Sequence, residues 1–348
     1  MKKLSKKQKL ICFMAIMIIA VILAIIITTN IIRNNNTVAN EGYLATIANA
    51  GSSLIASYIK KGITIGGITG TLETLDTNDA TAYAEDIAYG KVAYARGERI
   101  VGTRIDEDTV LNLQDVYYAD LDSSGEITVD GVIFADLAGE EENGEWGSKG
   151  WGVYTIPSET NLKQYYIKGE YTDEHFGTGK VIAPMKGTSG NERFYVMALE
   201  DINPGTYYCW YYAAYGKLDK IVGTSDNDFG QGRENTEYVN GKWNDPNLPW
   251  GAHNDNSSYD DMWEAIQEEI ADGWFVPSKS EWSAFGGEVL ELNNITSSNY
   301  DDYGLSSWCW SSSQRNTDSA YCANFVHGYI GTNGYVNNDS SVRLATTF

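Results

Sequence analysis

Residues 308–348 read WCWSSSQRNTDSAYCANFVHGYIGTNGYVNNDSSVRLATTF, and the reading of this stretch decides the reading of the chain. It opens on Trp308-Cys309-Trp310 and three serines, and closes on Val342-Arg343-Leu344. Between these ends Asn, Asp, Ser, Thr, Tyr, Gly, Cys and His dominate. Tyr supplies stiff contact area at low entropic cost, while Ser, Asn and Gly adapt their hydrogen bonds, which is the chemistry of a binding surface. The residues upstream are expected to hold that surface in place.

The chain has 348 residues, enough for two or three units. Its formal net charge is −22. Five lysines (Lys2, Lys3, Lys6, Lys7, Lys9) crowd the first nine residues, so the remainder is more acidic still. Such a body repels polyphosphate, and no nucleic-acid partner is expected. Of four cysteines, Cys12 lies in an apolar run and Cys209, Cys309 and Cys322 lie in the body, without a Cys-x-x-Cys spacing. That leaves neither a disulfide framework nor a zinc cluster, although Cys309 and Cys322 could form one bridge. His175, His253 and His327 are scattered.

Residues 1–9 read as a lysine-rich cytoplasmic tail, and residues 10–32 are apolar apart from Thr28, Thr29 and Asn30. The length is that of a membrane-spanning helix, and the lysines before it place the body outside. The expected location is thus a single-pass membrane protein with an extracellular body. A cleaved signal peptide is the rival, with a passable site at Thr37-Val38-Ala39. After a linker at 33–58, residues 59–110 hold two related glycine-punctuated units, from Ile59 to Thr71 and from Ile87 to Thr103. Their alternation predicts short strands joined by tight turns. The second resembles small modules of phage tail fibres and bacterial surface proteins, and the resemblance implies a spacer or stalk.

Residues 111–140 form an acidic segment. Within it Asp120, Asp122, Ser124 and Glu126 stand at the spacing of a calcium loop, so calcium is a candidate cofactor. Gly131 occupies the position where a closing carboxylate belongs, and an acidic turn leading into an apolar strand or helix is the competing reading. From residue 151 aromatic residues become dense. Residues 182–184 and 193–199 read as strands. Met262, Ile266 and Ile270 share one face of a predicted helix over 259–271. Ser278 and Glu281 form a capping box for a second helix, with Trp282 and Phe285 on its inner face.

The order Gly273-Trp-Phe-Val-Pro-Ser278, Glu281-Trp282, Trp308-Cys-Trp-Ser-Ser-Ser313, Ala320, Phe325, Gly328 and Val342-Arg343-Leu344 resembles the C-type lectin fold, in the branch shared with formylglycine-generating enzymes. More narrowly it resembles the variable proteins of diversity-generating retroelements. The resemblance covers residues 151–348. It implies an α+β fold: a C-terminal C-type lectin-like domain, preceded by small β-rich spacer modules and an N-terminal transmembrane helix. It further implies a rigid scaffold whose segment at about 308–343 is rewritten from a template copy while the fold persists. On that reading Trp308, Trp310, Ala320, Phe325, Gly328, Val342 and Leu344 are scaffold, and Arg343 pairs with an internal carboxylate. The contact residues are Cys309, Gln314, Arg315, Thr317, Ser319, Tyr321, Cys322, Asn324, Val326, His327, Tyr329, Ile330, Thr332, Tyr335 and Asn337. Their ligand would be a protein or glycan on another cell, a phage or a host.

No paired carboxylates at catalytic spacing, Ser/His/Asp order, phosphate loop or dinucleotide fingerprint stands out, so no enzyme activity is expected. Three rivals remain. One is a non-diversified structural or adhesive protein of the same fold. Another is a calcium-dependent lectin, although its Glu-Pro-Asn or Gln-Pro-Asp motif is missing. The third is a formylglycine-type oxidase, for which Cys309 and Cys322 are the only cysteine pair in the segment.

Overall fold

The structure, a computed structural model, describes residues 23–28, 55–73, 76–122, 124–139, 146–148, 151–211, 221–223, 228–247 and 260–348. The chain divides into two compact units, Met1–Asn78 and Asp79–Phe348.

In the first unit, residues 23–28 are helical and exposed, with the Thr28 hydroxyl bonded back to the Ala24 carbonyl at 2.6 Å. Residues 10–22 and 29–32 of the expected anchor lie outside the described residues. Among the described residues no helix is long and apolar enough to cross a membrane. The expected single-pass membrane location is thus not supported by the described residues. Farther on, β1 (Thr64–Ile65) and β2 (Ile68–Thr69) pair around Gly66-Gly67, both at positive φ. That is the backbone of a two-residue hairpin turn whose twist matches its strands.

The second unit opens with a hairpin of the same design. Here β3 (Val92–Ala95) and β4 (Glu98–Val101) pair around Arg96-Gly97, again both at positive φ. The surrounding hydrogen bonds largely repeat those of the first hairpin. Thr71 N–H reaches the Ala56 carbonyl at 2.7 Å, and Thr103 N–H reaches the Ala84 carbonyl at 2.8 Å. Leu72 bonds Ile59 at 2.9 Å as Arg104 bonds Ile87 at 3.0 Å. In each copy the glycine before the threonine, Gly70 or Gly102, lies against two carbonyl oxygens that leave no room for a Cβ. The repeated Gly-Thr is a packing requirement.

The rest of the unit is built on a seven-stranded sheet. Its strands are β5 (Arg104–Ile105), β6 (Tyr117–Ala119), β7 (Gly131–Asp136), β10 (Tyr165–Asp173), β11 (Gly177–Pro184), β12 (Phe194–Ala198) and the C-terminal β18 (Ala345–Thr347). The order is β18-β12-β7-β6-β11-β10-β5, antiparallel except where β11 runs parallel to β6. Residues 111–140 thus supply two central strands. Every residue of β7 is buried, with Val132 and Phe134 on one face and Ile133 on the other. Such a strand reads as a continuous apolar run. On the first face lie Trp282, Phe285 and Phe325, and on the second Tyr165, Phe194 and Phe348. Where the end of β7 meets the start of β12, Arg193 and Asp136 form a buried ion pair at 2.6 Å.

Smaller elements surround this sheet. A hairpin joins β8 (Trp146–Ser148) to β9 (Gly152–Tyr154), and β13 (Tyr208–Cys209) pairs in parallel with β14 (Asp260–Asp261). Helix α1 spans Gly232–Trp243, α2 Met262–Ala265, α3 Gln267–Ala271 and α4 Lys279–Phe285. The helix expected over 259–271 is therefore broken: Asp261 caps α2, and Ile266 leaves the helical region between α2 and α3. A three-stranded antiparallel sheet, β15 (Trp308–Asn316), β16 (Ser319–Asn324) and β17 (Tyr329–Tyr335), completes the unit.

The described residues are mostly β-sheet with few helices, which corrects the expected fold class. An α+β domain behind a transmembrane helix is not supported by the described residues. Physically, Val, Ile, Tyr and Phe recur in short runs bounded by Gly and Asn, and such runs favour strands over helices.

Candidate functional site

The three-stranded sheet is clamped from both sides. Cys309 of β15 pairs with Ala323 of β16, and both enter the core cluster that holds Phe134 and Trp282. One residue on, Trp310 pairs with Cys322, and both enter a second cluster with Trp210, Trp263, Val342 and Leu344. Three buried indoles fasten β15 to its neighbours: Trp310 Nε1 donates to the Tyr208 carbonyl at 2.7 Å, Trp210 Nε1 to the Ser311 carbonyl at 2.8 Å and Trp282 Nε1 to the Trp310 carbonyl at 3.1 Å.

The three serines close the internal polar network. Ser311 donates to the Tyr321 carbonyl at 2.9 Å, and Ser313 donates to Asp228 at 2.9 Å while accepting the Lys279 N–H. Ser280 also hydrogen-bonds Asp228. Next to it, Glu281 completes the capping box of α4 and accepts three N–H groups, from Ser278 at 2.7 Å, Gly230 at 3.0 Å and Gly232 at 3.1 Å. Burial outweighs these bonds and pushes its carboxyl up to about 7. Arg343 is fully buried and pairs with Asp201 at 2.6 Å, and its guanidinium also donates to the Gly304 carbonyl.

The sequence-predicted contact residues divide. Cys309, Gln314, Ser319, Cys322 and Asn324 are buried, which corrects their assignment to a surface. The reason is that both faces of the sheet pack, so strand alternation does not free every second residue. Thr317, Tyr321 and Ile330 are half-buried; Ile330 packs on the first cluster and Tyr321 carries the Lys279 ammonium 4.9 Å over its ring. The Thr332 backbone lies in β17 opposite Cys322, and its side chain lies outside the described residues. Arg315, Val326, His327, Tyr329, Tyr335 and Asn337 are exposed.

The exposed residues form two groups. Arg315 and Tyr335 flank the β15–β16 turn, Tyr335 pairing with Ser319, and Asn337 follows shortly after. Val326, His327 and Tyr329 form the β16–β17 turn at the other end, where the His327 and Tyr329 rings lie 5.9 Å apart. Six strand residues separate the ends by about 20 Å.

Cys309 and Cys322 take no bridge and are buried, as is Cys209. Cys309 and Cys322 sit one residue out of register and enter different clusters, so they face opposite sides of the sheet. Burial raises the Cys309 thiol well above its ordinary value and pushes Cys322 up to about 12. Thiolate chemistry, which the oxidase reading needs, is disfavoured at both.

The calcium-loop spacing is likewise put to another use. The Lys168 ammonium contacts both the Asp120 carboxylate and the Glu126 carbonyl, so a lysine stands where the cation would. Asp120 also accepts from Thr128 at 2.9 Å. Asp122, Ser124 and Glu126 are exposed. Among the described residues no three His, Cys, Asp or Glu side chains gather at metal distance.

A cleft of about 450 Å³ opens beside the start of β15, lined by Tyr207, Ser307, Trp308, Asn338, Asp339 and Ser340. Trp308, read from the sequence as scaffold, only half-buries there while packing on the second cluster. Tyr207 carried no sequence signal, because it meets Trp308 only through the Tyr208–Ser340 pairing, across a gap of well over a hundred residues, while Asn338 and Asp339 are brought there by the pairing of Ser341 with Cys309.

No protein family and no curated protein matches the sequence. Among solved structures, a fimbrial protein from Bacteroides ovatus is similar at 15% identity and a TM-score of 0.33, over 68% of this chain and 49% of that one. The chain thus spans about half the length of that protein, and a score this low assigns neither family nor fold.

Proposed function

We propose that this chain is an adhesive, ligand-binding protein that makes its contacts through the two exposed ends of the β15–β17 sheet. One observation carries this reading: the sheet is locked by packing on both faces, yet its turns display Val326, His327, Tyr329 and Tyr335 to solvent. Exposed aromatics on a rigid frame bind at little entropic cost. In its finer form the reading keeps the likeness to the variable proteins of diversity-generating retroelements, with variation confined to those ends.

Beads coated with the full chain should adhere to at least one member of a panel of bacterial and animal cells. Beads carrying Val326→Ser, His327→Ala, Tyr329→Ala and Tyr335→Ala together should not. Each exposed change is expected to cost within about 0.5 kcal/mol, so the melting temperature should hold nearly constant. Undiminished adhesion by the quadruple variant would refute the assignment to these ends.

A further inference from the structure

The cleft beside β15 uses residues that the hairpin-end reading does not. Its frame is fixed by backbone pairing: Tyr208 and Ser340 exchange N–H···O bonds at 2.9 and 3.0 Å, and Ser341 donates to the Trp308 carbonyl at 3.0 Å. Two aromatic rings, Tyr207 and Trp308, wall it, and Tyr207 is 43% exposed. The side chains of Tyr207, Ser307, Trp308, Asn338 and Asp339 hydrogen-bond no other described residue. A pre-formed cleft is therefore lined by two aromatic rings, an indole N–H, two hydroxyls, an amide and a carboxylate whose hydrogen-bonding capacity no other described residue takes up.

Its volume lies within the roughly 300–1,000 Å³ of small-ligand sites. The chemistry narrows the ligand. Among the described residues no Lys, Arg or His lines the cleft, and Asp339 supplies a negative charge on a chain already at −22. Phosphate, sulfate and carboxylate ligands are thereby disfavoured. A purely apolar ligand would leave the Asp339 and Asn338 groups desolvated and unpaired. A molecule with polarised C–H groups on one face and hydroxyls at its rim satisfies both demands. The negative face of an aromatic ring attracts such C–H groups, while a carboxylate accepts from two hydroxyls and an amide both donates and accepts.

We propose that this cleft binds a neutral pyranose sugar, with its ring against Trp308 and Tyr207 and its hydroxyls on Asp339 and Asn338, without a metal ion. The site lies apart from the Asp120 loop and is independent of calcium.

Isothermal titration of the full chain in EDTA tests this, using methyl α-glucoside, methyl α-galactoside, methyl α-mannoside and N-acetylglucosamine. Glucuronate and an unrelated neutral peptide serve as contrasting probes. At least one neutral sugar should bind with a Kd at or below the millimolar range, and glucuronate and the peptide should not. Tyr207→Ala and Asp339→Ala should each weaken that binding about tenfold or more. Both residues are exposed, so unchanged melting temperatures verify folding, and Trp308, which packs on the core, is left intact. The hairpin-end quadruple variant should bind sugar as the parent does, which separates failure of this proposal from failure of the adhesive reading. Absence of heat with every neutral sugar, binding of the peptide or glucuronate instead, or sugar affinity indifferent to both cleft variants would overturn it.

Discussion

Glu281 shows how much a single residue can hold. It joins the start of α4 to the Gly230–Gly232 turn through three accepted N–H bonds, and it is fully buried. Desolvation raises its carboxyl from 4.5 to about 7, and the neighbouring Asp228 charge adds to the rise. Asp261, buried at the cap of α2, moves the same way, from 3.8 to about 7. A carboxyl whose folded pKa lies above its unfolded value contributes stability below the unfolded value, and loses it as pH rises through the folded one. The melting temperature should therefore fall between about pH 4.5 and 7, and a pH-resolved thermal scan measures it. Glu281→Gln should flatten that slope while lowering stability at every pH, since its amide cannot accept from Ser278. An unaltered slope would show that Glu281 does not titrate in this window. Glu281→Ala should cost about 3 kcal/mol or more, because it strands three buried donors at about 1–3 kcal/mol each. The Ser278–Glu281 box and a carboxylate partner for Arg343 were both legible in the sequence, because each is a local pattern or an unavoidable demand of a buried charge. The burial of Gln314, Ser319 and Asn324 was not, since polarity alone places a residue at the surface unless its partners are known.

Elements were legible where periodicity and turn chemistry agree. The strands at 182–184 and 193–199 and the two glycine-rich hairpins were read from such agreement. Helix α1 was missed because its buried stripe, Asn235, Val239 and Trp243, begins on a polar residue that bonds Ser312 at 3.3 Å. Its apolar period is too thin to register. The helix expected over 259–271 failed for the opposite reason: its apolar period is sound, but Ile266 breaks the backbone between α2 and α3. The hairpin elements carry a direct test. A Cβ at Gly102 would run into the carbonyl oxygens of Ala88 and Ile87, both backbone atoms that cannot rotate away. Gly102→Ala should destabilise the hairpin by about 2 kcal/mol, as overpacking does. Val101→Ala, at an exposed neighbouring position, should stay within about 0.5 kcal/mol. Denaturant unfolding of both variants decides it: equal midpoints would mean that the Gly-Thr repeat is not enforced by packing.

Across the whole molecule, the second unit is one β-rich body in which residues 117–119 and 131–136 share a sheet with the C-terminal strand. Sequence reading divided it at 140–150 because Gly and Glu cluster there, and composition reports local polarity without reporting which strands return to pair. That closure constrains the finer functional reading. If positions in 308–343 are rewritten, those inside the clamped sheet cannot accept arbitrary residues. Replacing Gln314, Ser319 or Asn324 disturbs a packed polar network, and changing Cys309 or Cys322 leaves a cavity or forces an overpacked side chain. Substitutions found by sequencing the 3′ end of the gene across a host population should therefore gather at Arg315, Val326, His327, Tyr329, Tyr335 and Asn337. They should spare Cys309, Gln314, Ser319, Cys322 and Asn324, and should match adenine-bearing codons of a template copy. Variation spread evenly over buried and exposed positions would contradict the clamped sheet, and a quiet 3′ end would leave a fixed adhesive surface. Because the two turns lie at opposite ends of the sheet, correlated variation should link residues within a turn, such as His327 with Tyr329, more strongly than residues across it. Only side chains that can touch one ligand together share its selection.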